Sequence, residues 1–556
     1  MTDSSTPDIL LIPSAVLVPD ELRLDVGSIP TGMIPLRGRP MLERIADAYK
    51  GIDVTKVVAI NESGDIIREY ADRSSYEWTV VDVGNTASVG ETVLRSLDRL
   101  SECPIHNSNL YINFADTFIE PIHHVSEGDY VSYTEENRSY RWTTFDIESG
   151  KINGVSEKYH SVEDDSYPTF VGQFGITDAK SFQEYLKIAV GNKTGGLDSF
   201  YRGLMSYLSH REYSLYEPEI WLDVGHLDTY HRATKEFLNA REFNELVVNE
   251  KNVITKRSDD TSTLINEINW YNQIPNQLQP YLPRLYNWST DVQDTYVEME
   301  YIGYPSMSDL QLYGSHGNHI WDNMFHRLFE MLAEFRQFNA DTSQSAIQNS
   351  LKEIYLTKTQ RRLDTLYESG CIDPLFDSGS VRINGSSYPS VSTILDQLSD
   401  LVYSNGLIDR DQFNVIHGDL CFPNILYDPR NGILKLIDPR GEFGEFTIYG
   451  DPRYDVAKLR HSIVGHYEHL INGRFSTLYD PTSATIDYEI YTTEDQETRE
   501  SHFDALLESQ HGISLETVKL IEGLLFLSMV PLHADSLSRQ QCMLAQGIEK
   551  VTPFLE

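Results

Sequence analysis

The chain has 556 residues, of which 40% are hydrophobic and 11% aromatic. That length exceeds one ordinary core and predicts about two to four domains. With 84 acidic and 45 basic residues the net charge is −39, which disfavours nucleic acid and anionic membrane as partners.

The N-terminal text and the cysteines indicate the compartment. The chain begins MTDSSTPDILLIPSAV, which lacks the basic start of a signal peptide. Its most apolar late stretch, residues 520–531, is shorter than the ~20 residues that a bilayer requires. The cysteines number 4 and form no CxxC pair, as expected in a reducing compartment without a zinc site. We expect a cytoplasmic protein without membrane insertion.

The first ~240 residues alternate strand-like and helix-like runs. Strands are predicted at 9–12, 56–60 and 109–114, and helices at 40–49, 90–100 and 233–246. This rhythm predicts a largely parallel sheet with its site at the carboxyl ends of the strands.

The character of the chain changes near residue 245. Strands predicted at 252–256 and 295–301 flank a predicted helix at 262–271. From about residue 308 the pattern is mostly helical, interrupted by a loop-and-strand segment at 417–444. We therefore predict a first domain over 1–244 and a second over 245–556, the second with a small lobe at about 246–303 and a helical lobe at about 304–556.

The segment with the clearest chemistry reads VIHGDLCFPNILYDPRNGILKLIDPRGEFG and begins at Val415. Asp419 and Asn424 place a carboxylate and an amide oxygen on one loop, and a predicted strand at 433–437 delivers Asp438 to the same place. Phosphoryl transfer needs a base for the attacking hydroxyl, oxygen ligands for Mg²⁺ and cations on the phosphates. An isolated HxDxxxxN could also be a turn with an asparagine cap.

This segment resembles the catalytic core of the aminoglycoside phosphotransferase and choline kinase family, whose fold is protein-kinase-like. The resemblance implies that Asp419 is the catalytic base and that Asn424 and Asp438 bind Mg²⁺. His417 would be a structural member of the loop. The following text, YGDPRYDVAKL, contains Asp455, which would brace the loop.

The preceding small lobe agrees with this resemblance. Lys256 in VITKRS would reach the ATP phosphates, and Glu267 in LINEINWYNQI would pair with it. The segment YVEMEYI resembles the hinge strand that holds adenine, and contributes Glu298 and Tyr301 as cofactor-binding residues. No glycine-rich loop precedes Lys256, although 249–252 could form a short turn. Lys256 and Glu267 could alternatively be solvated side chains.

The first domain resembles sugar-phosphate nucleotidyltransferases. The matching segments are IPTGMIPLRGRPMLERI, YINFADTF, GVSEKY and WLDVGHLDTYHRA. The resemblance implies that Asp116 and Asp223 are metal ligands at strand ends and that Lys158, beside Glu157, binds the sugar phosphate. The two carboxylates could instead only support the fold.

The first loop departs from that family. It reads IPSAVLVPDELRLDVG, with no glycine before Gly27 and with two acidic residues, Asp20 and Glu21, that would repel phosphate. The family's lysine after the first proline is replaced by Thr31. These changes remove amide donors and a cation from the phosphates. Candidate replacements are Lys158, Arg23, Arg37 and Arg39.

The sequence therefore predicts an α/β nucleotidyltransferase-like (Rossmann-like) domain followed by a bilobal α+β protein-kinase-like domain. We expect an ATP- and Mg²⁺-dependent kinase for a sugar or amino alcohol, whose partner domain makes a nucleotide conjugate for capsule or other surface polysaccharides. In a second interpretation the first domain only binds a ligand or partner. A third, non-enzymatic scaffold conflicts with the intact set Asp419, Asn424 and Asp438. The acceptor and the oligomeric state are not readable from the sequence.

Overall fold

The computed structural model describes residues 7–100, 108–137, 141–157, 166–192, 197–240, 246–370, 372–493, 495–510 and 512–555. The chain divides into two compact units. One comprises Met1–Arg241 with Tyr313–Ser315, and the other comprises Glu242–Leu312 with His316–Glu556.

The N-terminal unit mixes strands and helices. Its strands are β1 (Asp8–Pro13), β2 (Val54–Ile60), β3 (Trp78–Asp82), β4 (Leu110–Asn113), β5 (Thr117–Glu120), β6 (Asp129–Glu136), β7 (Thr143–Glu148), β8 (Lys151–Glu157), β9 (Tyr167–Ile176), β10 (Tyr213–Tyr216) and β11 (Ile220–Asp223). Its helices are α1 (Asp20–Val26), α2 (Met41–Ala48), α3 (Asp65–Arg73), α4 (Val89–Leu100), α5 (Ala179–Gly191), α6 (Ser199–Leu208) and α7 (Leu227–Ala240).

The main sheet of this unit has the order β10-β6-β9-β4-β1-β2-β3, with β7 and β8 joined to it through β9. Strands β1, β2, β3 and β4 are parallel neighbours. The continuous apolar runs of β1 and β2 are typical of strands that are covered on both faces. Strand β9 lies antiparallel between β4 and β6, so the sheet is mixed rather than largely parallel. Strands β5 and β11 form a separate antiparallel pair.

The C-terminal unit is richer in helices. Its strands are β12 (Leu246–Val248), β13 (Val253–Lys256), β14 (Leu285–Ser289), β15 (Tyr296–Glu300), β16 (Ser380–Ile383), β17 (Ser386–Pro389), β18 (Asn414–Val415), β19 (Ile425–Asp428), β20 (Ile433–Leu436), β21 (Tyr449–Gly450), β22 (Phe475–Asp480) and β23 (Thr485–Ile490). Its helices are α8 (Thr261–Gln273), α9 (Met307–Leu312), α10 (Asn318–Phe335), α11 (Gln344–Lys352), α12 (Lys358–Glu368), α13 (Asp373–Asp377), α14 (Val391–Ser404), α15 (Pro452–Ile463), α16 (Tyr467–Ile471), α17 (Gln496–Glu508), α18 (Leu515–Met529) and α19 (Leu537–Val551).

The unit begins with an antiparallel sheet of order β12-β13-β15-β14. A short turn joins β12 to β13, in which Asn249 Oδ1 accepts the amides of Lys251 and Val253 at 2.9 and 3.1 Å. Asn252 supplies the left-handed residue of this turn, with φ 57°. Helix α8 follows, capped by the Asp260 side chain. The predicted short turn at 249–252 is therefore present.

A second sheet, of order β17-β16-β23-β22, lies in the part predicted to be mostly helical. The same part of the chain contains two further antiparallel pairs, β18-β21 and β19-β20. Among the residues that the structure describes, no helix combines the length and apolarity needed to cross a bilayer.

Candidate functional sites

The loop that carries Asp419 is hydrogen-bonded to helix α15. The Asp455 side chain, which is 1% exposed, accepts the amide of His417 at 2.7 Å and that of Gly418 at 2.8 Å. Gly418 has φ 80°, a conformation that favours glycine. A buried carboxylate that accepts two backbone amides fixes the path of the loop, which is the bracing role expected for Asp455.

His417 ties this loop to the end of β20. Its Nδ1 accepts the Asp419 amide at 3.3 Å, which leaves Nε2 to donate to the Ile437 carbonyl at 2.9 Å. Burial lowers the pKa of His417, so the ring is neutral and holds two chain segments together. One of those segments leads directly to Asp438.

Asp419 faces two polar partners. Lys458 Nζ lies 2.8 Å from Asp419 Oδ1, and Asn424 Nδ2 donates to the Asp419 carbonyl at 2.9 Å and to Oδ2 at 3.3 Å. Although burial alone would raise it, the Lys458 ammonium lowers the pKa of Asp419. The Asp419 side chain is still 41% exposed, so an ionised carboxylate is open to a substrate.

Sequence reasoning missed Lys458. It lies three residues after Asp455 on α15, and residues three apart share a helix face. The helix that braces the loop therefore also places a cation on the Asp419 carboxylate, a signal that was present in the text YDVAKL.

Asp438, Lys256 and Glu267 form a second charged group. Lys256 Nζ lies 2.6 Å from Glu267 Oε2 and 2.8 Å from Asp438 Oδ1. Although burial opposes its charge, the Asp438 and Glu267 carboxylates raise the pKa of Lys256. Glu267 is only 3% exposed, and the Lys256 side chain is 20% exposed and paired with two carboxylates. Strand β13, helix α8 and the end of β20 thus converge.

Both charged groups line one cavity of about 450 Å³. Glu298 and Tyr301 are not among its lining residues. Glu298 lies in β15 opposite Thr255, and the Tyr301 amide donates to the Asn252 carbonyl at 2.9 Å. That amide is therefore engaged within the protein, and the adenine-binding role of these two residues stays a prediction.

The donor set suits Mg²⁺ held jointly with phosphates. Asp438 offers carboxylate oxygens, and Asn424 keeps its amide oxygen while its amide nitrogen bonds Asp419. Mg²⁺ commonly takes one or two protein carboxylates and completes its shell with substrate phosphates and water. Within the described part of the chain, no cluster of three or more His, Cys, Asp or Glu side chains is placed to hold a metal ion.

In the N-terminal unit, Asp116 and Asp223 lie side by side. Asp116 follows β4, and Asp223 ends β11 opposite Thr117. The Val224 amide donates to the Asp116 carbonyl at 2.9 Å, and a Cβ at Gly225 would lie 2.7 Å from Asp116 Oδ2. Burial and the neighbouring Asp223 carboxylate raise the pKa of Asp116. Two carboxylates in this relation favour a cation between them.

Both aspartates line a cavity of about 840 Å³. Its walls include the aromatic side chains Phe114, Trp142, Phe170, Phe200, Tyr201 and Trp221. The Asp223 carboxylate is oriented by Thr229 Oγ1 at 2.6 Å and by Trp142 Nε1 at 3.2 Å. Lys158, the predicted sugar-phosphate ligand, lies outside the described residues.

The first loop of this unit folds as helix α1. Glu21 on that helix accepts the Leu227 amide at 3.3 Å and lies 3.0 Å from His226 Nδ1. Within this segment the Leu22 amide donates to the Pro19 carbonyl and the Gly27 amide donates to the Arg23 carbonyl, each at 2.9 Å.

The predicted replacement cations also lie elsewhere. Arg23 pairs with Asp20 at 2.9 Å, Arg39 pairs with Glu43 and Asp47, and Arg37 is exposed. None of these three arginines is a lining residue of the 840 Å³ cavity.

No protein-family model and no curated protein sequence matches the chain. The solved structures that match it in its N-terminal region include a nucleoside-diphosphate-sugar pyrophosphorylase from Vibrio cholerae RC9, with 16% identity and a TM-score of 0.34 over 41% of this chain and 99% of that one. HddC from Yersinia pseudotuberculosis complexed with GMP-PN matches with 14% identity and a TM-score of 0.31, over 41% of this chain and 99% of that one. The CTP:phosphocholine cytidylyltransferase of Streptococcus pneumoniae matches with 10% identity and a TM-score of 0.33, over 42% of this chain and 99% of that one. Likeness at this level carries no argument about activity, which must come from the side chains.

Proposed function

We propose that the C-terminal unit is an ATP-dependent kinase that phosphorylates a hydroxyl group of a small molecule. The observation that carries this proposal is the convergence of Asp419, Asp438, Lys256 and Glu267 on one 450 Å³ cavity, with Asn424 bonded to Asp419. These are the base, oxygen ligands and phosphate cation that phosphoryl transfer requires.

The chemistry assigns each group a task. Asp419 orients the acceptor hydroxyl and takes its proton while the acceptor oxygen bonds to the γ-phosphorus and the bond from that phosphorus to ADP breaks. Lys458 holds the Asp419 carboxylate in place. Lys256, positioned by Glu267, meets the phosphates of ATP.

Asn424 and Asp438 would hold Mg²⁺ on those phosphates. When bound, the ion neutralises the charge of the triphosphate. Lys256 Nζ lies 2.8 Å from Asp438 Oδ1, so this lysine is beside the carboxylate that would hold the ion.

A product assay tests the proposal. Purified protein is incubated with Mg²⁺, ATP and a panel of hexoses, polyols, choline, ethanolamine and their phosphorylated or carboxylated analogues, and the products are identified by mass spectrometry. A phosphorylated acceptor that is formed by the wild-type protein and not by Asp419→Ala supports it. ATP turnover that persists in Asp419→Ala would contradict it.

We further propose that the N-terminal unit binds a metal–nucleotide or metal–phosphate ligand between Asp116 and Asp223, because the two carboxylates face one 840 Å³ cavity. A kinase product is a substrate of nucleotidyl transfer, so the two units together would make an activated nucleotide conjugate for surface polysaccharides. The helical first loop favours slow transfer, or ligand binding alone.

These two alternatives for the N-terminal unit are separable. CTP, GTP and UTP are added in turn to the kinase reaction, and nucleotide conjugates are sought. A conjugate that disappears in Asp223→Ala supports transfer. Stabilisation of the protein by nucleotide and Mg²⁺ without a conjugate supports binding only.

A further inference from the structure

The charge of the 450 Å³ cavity is opposite to that of the chain. The whole protein carries −39, yet the cavity is lined by the cations Lys256, Lys358, Arg362, Arg440 and Lys458 and by the carboxylates Glu267, Asp419 and Asp438. Lys256 takes two of the carboxylates and Lys458 takes the third. Three cations, Lys358, Arg362 and Arg440, therefore remain, and we call them the acceptor-side cations.

Lys358 is the most informative of them. It is 6% exposed, and its Nζ lies over the Tyr454 ring, 5.9 Å from the ring centroid. Among the described residues, no carboxylate forms an ion pair with it. An ammonium buried without an anion is costly, and its neighbours in the cavity wall, Arg362 and Arg440, are also cations.

Helix α12 places Lys358 and Arg362 on the wall of the 450 Å³ cavity. A single π-helical turn, Glu353–Thr357, precedes Lys358, and such turns are frequent at functional sites. Lys358 and Arg362 are four residues apart on α12 and share a helix face. Arg361, between them, instead points outward to Glu353 at 3.3 Å and is 63% exposed.

Arg362 and Arg440 each use one side-chain nitrogen in a hydrogen bond within the protein. Arg362 Nη1 donates to the Ser528 carbonyl at 3.0 Å, and Arg440 Nη1 donates to the Tyr454 hydroxyl at 3.1 Å. Each guanidinium has five N–H donors, and neither arginine forms an ion pair within the part of the chain that the structure describes. Both line the same cavity as Asp419.

We propose that the acceptor-side cations bind an anionic group on the acceptor, so that the substrate is an alcohol that already bears a phosphate or a carboxylate. This inference rests on the kinase function proposed above and narrows it. A quaternary ammonium or amine acceptor would be repelled by the same three cations. For the ATP phosphates the proposed cation is Lys256, whose Nζ lies 2.8 Å from Asp438 Oδ1.

Matched acceptors test the charge preference with the full-length protein. Glycerol, glycerol 3-phosphate and glycerate are compared with one another, glucose with glucose 6-phosphate, and choline serves as the cationic probe. We expect kcat/KM to be about 10- to 100-fold higher for an anionic acceptor than for its neutral parent, with choline lowest. The phosphate and carboxylate arms show which anion is preferred.

A variant pair on one helix tests the residues. Arg362→Gln and Arg361→Gln remove the same charge one residue apart, but only Arg362 lines the cavity. We expect Arg362→Gln to raise KM for the anionic acceptor about 10- to 100-fold while KM for ATP is unchanged, and Arg361→Gln to behave as wild type. Lys358→Met should show the same loss.

Equal kcat/KM for neutral and anionic acceptors, or an Arg362→Gln defect that appears in KM for ATP, would overturn the inference while leaving the kinase intact. A second readout is thermal stabilisation of the protein by glycerol 3-phosphate, which Arg362→Gln should lose and Arg361→Gln should keep. If that stabilisation is seen without turnover of any acceptor, the anion site stands and the kinase proposal fails.

Discussion

Asp419 is open to solvent on one side and paired with Lys458 on the other. Replacing it with alanine removes the proposed acceptor for the hydroxyl proton but leaves Lys256, Asn424 and Asp438 in place. We expect kinase turnover to fall by about 10²- to 10⁴-fold, with ATP affinity little changed. Steady-state kinetics and calorimetric titration with ATP measure the two quantities.

The control for this change is Asp411→Ala, which removes an exposed carboxylate near the same loop. It should match wild type in both assays. An Asp419→Ala protein with near-normal turnover would show that the base has been assigned to the wrong residue.

Asp438 makes a different prediction, because its carboxylate is a proposed metal ligand. Asp438→Ala should weaken binding of Mg·ATP and should also reduce turnover. ATP affinity is measured with and without Mg²⁺ in wild type and variant. If the variant keeps the full magnesium-dependent gain in affinity, Asp438 does not hold the ion.

We expect the buried charge of Lys358 to lower the free energy of unfolding of the protein. Burial lowers the pKa of Lys358 to about 8, with Tyr454 opposing the shift and Arg440, Arg362 and Lys458 adding to it. The folded state therefore holds this proton less tightly than the unfolded chain does. The loss of folding free energy caused by this buried charge is complete below pH ~8 and disappears as pH rises toward ~10.4.

Lys358→Met removes that cost. We expect it to raise the free energy of unfolding by on the order of 2 kcal/mol at pH 7, and by much less near pH 10. Denaturant titrations at the two pH values measure the difference. A variant that is less stable than wild type at pH 7 would show that Lys358 is compensated in the free protein.

At the scale of elements, the site depends on a close approach between the loop after β20 and helix α8. Gly441 has φ 66°, and a Cβ there would lie 2.1 Å from the Asn266 carbonyl oxygen. Asn266 precedes Glu267 on α8. Gly441→Ala should therefore both strain the backbone and separate Asp438 from the Lys256–Glu267 pair.

Gly385, in the turn between β16 and β17, is the matched control. It has φ 81° with open space where a Cβ would stand. Gly385→Ala should cost about 1 kcal/mol of stability from backbone strain alone and leave kinase kinetics unchanged. Gly441→Ala should cost more, and should raise KM for ATP. Equal stability losses and unchanged kinetics in both variants would mean that this approach does not position the site.

The sequence could predict the elements with strong local signals. The strand that ends at Lys256, the helix around Glu267 and the strand before Asp438 lie where the sequence pattern predicts them. Helix α7 ends at Ala240 in the described residues, whereas the predicted helix began later and extended to residue 246. Boundaries are less determined by local pattern because capping and packing decide them.

Non-local pairing explains what the sequence did not reveal. Strand β9 lies antiparallel between β4 and β6, and β16 pairs with β23 across a long stretch of chain. Neither pairing leaves a local signature. The convergence of Lys358 and Arg362 on the cavity that Asp419 also lines has the same character, because both lie on α12, whose own pattern shows only amphipathicity.

In the whole molecule, the two compact units carry separate sets of candidate functional residues. Lys256, Glu267, Asp419, Asn424 and Asp438 all fall in the C-terminal unit. Domains with their own cores commonly fold alone. A truncated protein that begins near residue 241 should therefore phosphorylate the acceptor unaided.

The same truncation also tests the predicted boundary near residue 245. The matching fragment that ends near residue 243 contains Asp116 and Asp223 and should bind nucleotide with Mg²⁺ if it retains a site. A C-terminal fragment that is folded by circular dichroism and yet inactive as a kinase would contradict the two-module account. The N-terminal half would then be completing the kinase site.

Phosphorus NMR of the full-length protein with Mg·ATP and the acceptor panel tests the proposed kinase function, because it follows the γ-phosphate itself. We expect a new phosphomonoester resonance to grow as ADP forms, to be strongest with an anionic acceptor and to be absent with Asp419→Ala. Release of the γ-phosphate only as inorganic phosphate, or the same phosphomonoester with Asp419→Ala, would contradict this function.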